Sequence, residues 1–148
     1  MRTLFLKSKA RVEFIDITAW INSELQSWIG EPVKAVVVYT PHTTVGITVS
    51  VRQGGDTKET GPVNGDSDVV EDQIDWLRVN IPHYGPDRGF VWGHYEQNSD
   101  AHIMGMLTGN SVVIPVEDRK LKMGKWQSVF FCEFDGQRER QVWLSFLS

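Results

Sequence analysis

Apolar and polar residues nearly alternate from Thr3 to Lys7 and again from Val12 to Ile17. That two-residue period marks half-buried strands. It predicts a strand pair joined around Ser8, Lys9 and Ala10. At Thr18 the period lengthens. Trp20, Ile21, Leu25, Trp28 and Ile29 fall at helical spacing, with the Thr18 hydroxyl as N-cap and Gly30 as the closing residue. Val33 to Tyr39 holds the β-branched run Val36, Val37, Val38, which suits a strand buried on both faces. Val45, Ile47, Val49 and Val51 define one face of a further strand, so His42 falls in the connection between two strands.

Arg52 to Gly65 contains Gly54, Gly55, Gly61, Pro62 and Gly65 with few apolar residues, and predicts a surface loop that could act as a lid. A helical pattern follows from Asp66 or Ser67 through Val69, Val70, Ile74 and Leu77, ended by Pro82. Ile81 to Gly93 reads as an ordered loop. Asn98 or Ser99 caps a short helix that Gly109 closes. Ser111 to Val116 is a strand, Glu117 to Lys120 a turn, and Lys125 to Phe134 a strand. Asp135 and Gly136 supply a hairpin signal before a last strand from Arg138 to Leu147. Runs of strands with a few helices between them predict an α+β fold with a mixed, mostly antiparallel sheet in a single domain over 1–148.

At 148 residues, with 41% hydrophobic and 23% charged positions, the chain can bury a core without covalent staples. The net charge of −4 and the scattered basic residues argue against nucleic acid as a partner. The first nine residues are too weakly apolar for a signal peptide, and no stretch reaches the roughly 18 apolar residues of a membrane span. The single cysteine, Cys132, sits in a strand pattern; a buried, inert thiol in a reducing cytoplasm is the ordinary explanation. Six tryptophans are many for this length and make an oligomer interface plausible.

Chemistry concentrates between His94 and His102. Two imidazoles there flank Glu96, Asn98 and Asp100, and His102 falls in the first turn of its helix, where the dipole favours neutral imidazole. With His42 they make a candidate trio of metal ligands. The spacing alone is a weak signal, and each histidine taken singly is more often a structural hydrogen bonder. Glu96 and Asp100 are candidates to orient a ligand or act as base; helix capping explains Asp100 about equally well. Thr43, Thr44 and Asn98 are candidate substrate contacts, with strand, turn and cap roles as the bland alternative. Arg138 and Arg140 alternate on the last strand. Either they pair with Glu133 or Glu139, or one captures phosphate through its guanidinium fork.

His42-Thr43-Thr44-Val45-Gly46-Ile47-Thr48, the block from His94 to Ile103, Gly124-Lys125-Trp126-Gln127-Ser128 and Phe131-Cys132-Glu133-Phe134-Asp135-Gly136 together resemble the YjbQ-like family. The blocks run in that family's order and span most of the chain. The resemblance implies a sheet curled into a half-barrel with two to three helices, assembly as a homotrimer, and a divalent metal, zinc by ligand type, on His42, His94 and His102. The family is labelled a secondary thiamine-phosphate synthase, which implies a phosphorylated small-molecule substrate. One departure stands out. Where the family continues into Asn-Glu-Asn and Asp-Pro-Asp-Val, this chain has Ser50-Val51-Arg52, and the acidic pattern is displaced to Asp66-Ser67-Asp68-Val69. The expectation is a metal-dependent enzyme acting on a phosphorylated metabolite. The alternatives are a non-catalytic metal- or anion-binding trimer and a phosphate-metabolite hydrolase.

Overall fold

A computed structural model describes residues 1–52, 69–83 and 97–148. The proposed lid between Gly54 and Gly65, the displaced acids Asp66 and Asp68, and the site candidates His94 and Glu96 lie outside the described residues. In chain order the elements are β1 (Arg2–Lys7), β2 (Glu13–Asp16), α1 (Thr18–Gln26), β3 (Ala35–Tyr39), β4 (Val45–Val51), α2 (Val69–Asn80), α3 (Ser99–Thr108), β5 (Ser111–Glu117), β6 (Lys120–Leu121), β7 (Gln127–Glu133) and β8 (Glu139–Leu147). The fold is α+β, an antiparallel sheet curled into a half-barrel with three helices among the described residues. Its strands hydrogen-bond in two groups, β1-β8-β3-β5-β6 and β2-β7-β4, and every described pairing is antiparallel.

Two sequence expectations fail at the joins between these groups. β1 and β2 do not pair: β1 lies on β8 and β2 on β7. Asp135 and Gly136 do not close a hairpin either, because β7 and β8 belong to different groups. Local turn chemistry was overruled in both places by tertiary packing. Gly136 sits against the Ala10 carbonyl where no Cβ fits, and its N–H donates to the Arg11 carbonyl at 2.9 Å. The two joins therefore brace each other, and the glycine is required for close approach rather than for a tight turn.

β7 explains how one sheet serves two cores. From Ser128 to Glu133 every residue is buried. Val129 and Phe131 face Ile21, Leu25, Val36, Val142 and Leu144 inside the curl. Phe130 and Cys132 face Val70, Ala101 and Met104 beneath α2 and α3. A strand covered on both sides loses the alternation that half-buried strands show. β3, expected to be buried on both faces, is instead buried on alternate residues, Val36 and Val38.

α1 begins as expected at Thr18, but the threonine hydroxyl does not cap it. That oxygen accepts the Val129 N–H at 2.8 Å, and Asp16 takes the Thr18 N–H instead. α1 ends at Gln26, short of Gly30. No described helix is long and apolar enough to cross a membrane.

Candidate functional site

Strand parity carries two charged residues into the curl. On β8, Arg140, Val142 and Leu144 are the buried positions. On β7, Glu133 follows Val129 and Phe131 on the inward face. Arg140 is 6% exposed and Glu133 0%. Burying charge is costly unless it is paired and hydrogen-bonded, and here it is both. Arg140 Nε donates to Glu133 Oε1 at 2.8 Å and Nη2 to Oε2 at 2.6 Å. The Ser8 hydroxyl donates to Oε1 at 2.7 Å, and the Phe134 and Asp135 N–H groups donate to Oε2. Arg140 Nη2 also donates to Thr44 Oγ1 at 2.8 Å, which fixes the residue at the entry to β4.

His42 stands beside this pair. β3 leaves its pairing with β8 at Tyr39, opposite Trp143. The Gln141 N–H of β8 donates to His42 Nε2 at 2.9 Å, so a side chain continues where the ladder stops. A neutral imidazole accepts at one nitrogen and carries its proton on the other. The Gln141 bond therefore places the proton on Nδ1. Burial pushes the His42 pKa down, the Arg140 charge adds to this, and Glu133 opposes it. The ring is held neutral.

His102 comes from α3, which lies unusually close to β4. A Cβ on Gly105 would stand 2.9 Å from the carbonyl oxygens of Thr43 and Val45. A Cβ on Gly46 would stand 2.5 Å from the Thr108 methyl and 2.9 Å from the Gly109 carbonyl oxygen. These glycines let helix and strand backbones touch, which puts His102 across from His42. Pro41, His42, Thr43, Thr44, Asn98, His102, Arg138 and Arg140 all line one cavity of about 280 Å³. An adjoining hollow of about 420 Å³ is also lined by His42 and His102, and reaches Met106 and Asn110.

Six of the expected substrate and metal residues thus line the cavity: His42, His102, Thr43, Thr44, Asn98 and Arg138. Arg138 places its Nε on the Asp135 carbonyl and its Nη2 on the Asp135 carboxylate, both at 3.0 Å. Asn98 stands at the N-cap of α3 but makes no capping bond. Its amide donates to Asp135 Oδ2 at 2.7 Å.

Asp100 is buried and is not among the cavity-lining residues. Arg11 donates to both its oxygens, at 2.9 and 3.2 Å, and His83 Nδ1 lies 3.3 Å away. Burial pushes its pKa up, but the Arg11 and His83 hydrogen bonds and the Arg11 charge outweigh this and hold it below the usual value. Its place is that of an anchor for the start of α3. The pairing of Arg140 with Glu133 was the ordinary explanation open to these residues; their burial beside the cavity was not expected. Their signal was available: both interrupt an apolar period-two face.

A nitrogen that accepts the Gln141 N–H cannot at the same time bind an ion, so ligation through His42 Nε2 requires giving up that bond. No group of three metal-ligating side chains occurs among the described residues.

A sequence model described as UPF0047 protein YjbQ-like matches residues 2–148. A UPF0047 protein of Archaeoglobus fulgidus is 38% identical over 139 residues, covering 94% of each chain. The UPF0047 protein YugU of Bacillus subtilis is 34% identical over 148 residues, covering 99% of this chain and 98% of its own. A crystal structure of a YjbQ/UPF0047-family protein from Clostridium acetobutylicum superposes with a TM-score of 0.80 at 34% identity, covering 99% of this chain and 100% of that one.

Proposed function

The chain belongs to the UPF0047 YjbQ-like family, and we propose that it is a metal-dependent enzyme acting on a phosphorylated small molecule, in the manner of a thiamine-phosphate synthase. The observation that supports this reading is the shared cavity, where two imidazoles face two arginines and two threonines. Its charges support a metal as well. Arg140 is balanced by Glu133 and Arg138 by Asp135. A phosphate entering this balanced set needs added positive charge, which a divalent ion supplies.

In this reading His102, together with His94, holds the ion, zinc by the softness of imidazole. The ion supplies Lewis-acid stabilisation of phosphate oxygens or an activated water. Thr43, Asn98 and Arg138 orient the substrate. Thr44 is held by Arg140, and Asp100 holds α3 in place. Glu96 is the candidate base. In this reading the enzyme works in the cytoplasm, where a chain with a single cysteine needs no disulfide.

The test is release of phosphate or pyrophosphate from a panel of phosphate esters and diphosphates, with zinc, manganese or magnesium. The reading requires turnover that chelation abolishes and one ion restores. Absence of turnover across the panel, with metal analysis showing no retained ion, contradicts it.

A second reading, a homotrimer whose subunit boundary borders the cavity, is favoured by Met106 and Leu107. Both are large, apolar and exposed on α3, and Met106 lines the hollow next to His102. Such an assembly need not be catalytic; a metal or anion could serve it as structural glue.

A further inference from the structure

We infer that His42 and Arg140 form a cradle for an oxyanion, in which His42 acts as a hydrogen-bond donor through Nδ1–H and not as a metal ligand. This rests on the phosphorylated-substrate reading above and assigns that substrate's anionic group a place in the cavity.

The first observation is the tautomer. The Gln141 N–H occupies the Nε2 lone pair at 2.9 Å, and a backbone amide has no alternative but to donate. Nδ1 therefore carries a proton, and His42 makes no other hydrogen bond among the described residues. The second is the guanidinium. Nε and Nη2 of Arg140 are taken by Glu133 and Thr44, whereas Nη1 donates to no described residue. Arg140 is 6% exposed yet lines the same cavity as His42. A buried arginine held rigidly along one edge, with its other edge unused, is pre-organised to bind an anion.

β8 carries Arg140 and, through the next residue's amide, orients His42 in the β3–β4 connection. Its chemistry fits the oxygens of a phosphate or diphosphate; a carboxylate would offer a flatter acceptor to the same donors. Two donors on separate residues, rather than one planar fork, suit a tetrahedral group better.

The experiment uses the full-length protein with inorganic phosphate, pyrophosphate and acetate as probes in calorimetric titrations, alongside long-range ¹⁵N NMR of the histidine rings. The inference requires a protonated Nδ1 on His42, which shifts when phosphate is added. It requires phosphate affinity to fall roughly tenfold or more in His42→Ala, and in Arg140→Lys, which keeps the charge but loses the fork. His42→Asn sets an amide N–H where Nδ1–H stood and should restore most of the affinity lost in His42→Ala. Zinc content should be unchanged in His42→Asn. Acetate should bind more weakly than phosphate.

Loss of zinc in His42→Asn, or an Nε2-protonated His42, overturns the inference. So does phosphate affinity that ignores His42→Ala while wild-type turnover persists; that result leaves the enzyme reading standing. Wild-type protein that neither binds phosphate nor turns over any phosphorylated compound overturns both. Circular dichroism on each variant separates a lost contact from a lost fold.

Discussion

The Glu133–Arg140 pair decides most at the scale of single residues. Removing one partner leaves the other buried and uncompensated, at a cost of about 3–5 kcal/mol. Glu133→Gln should therefore lower the denaturant midpoint sharply. Replacing both, Glu133→Leu with Arg140→Met, should recover most of that stability and still abolish phosphate binding. A double variant that stays as unstable as the single one would show that the pair is structural rather than functional. Asp100 makes a second case. Its folded pKa lies below the ordinary value of 3.8. The stability it contributes is thus complete above that ordinary value and is lost as pH falls through the lowered one. Asp100→Asn should unfold more easily at neutral pH and lose less on acidification. An acid limb identical to wild type would mean the Arg11 contact contributes nothing.

The histidines at 42 and 102 could be selected from residue type, and the structure does bring them to one cavity. His83 is exposed, yet its Nδ1 rests 3.3 Å from Asp100, a contact that no local pattern encodes. Arg138 and Arg140 were weighed alike, as partners of Glu133 or Glu139 or as a phosphate fork. The importance of Arg140 comes from burial, which depends on which face of β8 turns inward.

Elements were legible where their own period was strong. α1, α2, α3 and β4 stand close to where hydrophobic spacing placed them. The failures cluster at the joins. Asp135-Gly136 carries a hairpin signal, yet the chain crosses there from one strand group to the other. Sequence-local rules fix which residues can turn and leave open which strand the next one will meet. Arg52, just past β4, approaches the ring of Trp126, just before β7, at 6.0 Å, a contact that is equally non-local. The contact of α3 with β4 gives a prediction at this scale. Gly105→Ala drives a methyl against the Thr43 and Val45 carbonyls, and overpacking of this kind costs about 1–3 kcal/mol. The helix should shift and carry His102 with it. Reduced zinc retention at preserved helicity would confirm this; unchanged retention would refute it.

For the whole molecule, apolar surface is the open quantity. Phe5, Ile29, Trp76, Val79, Met106 and Val113 are all more than half exposed. A trimer bordering α3 would cover Met106 and Leu107. Met106→Glu should then convert the assembly to single chains by light scattering, with the cavity chemistry weakened at the same time. An unchanged mass would place any subunit boundary elsewhere. The fold itself shows why the cavity is where it is. Two strand groups curl toward each other, apolar side chains fill most of the interval, and at one end a paired arginine and glutamate replace them.

We propose that this end of the curl receives a phosphorylated group beside a metal. Anomalous diffraction from crystals soaked with zinc and tungstate, a heavy tetrahedral analogue of phosphate, tests it most directly. Tungsten density is expected within hydrogen-bond distance of His42 Nδ1 and Arg140 Nη1, with zinc on His102. Tungsten and zinc found only on the outer surface, with the cavity filled by water alone, would contradict it.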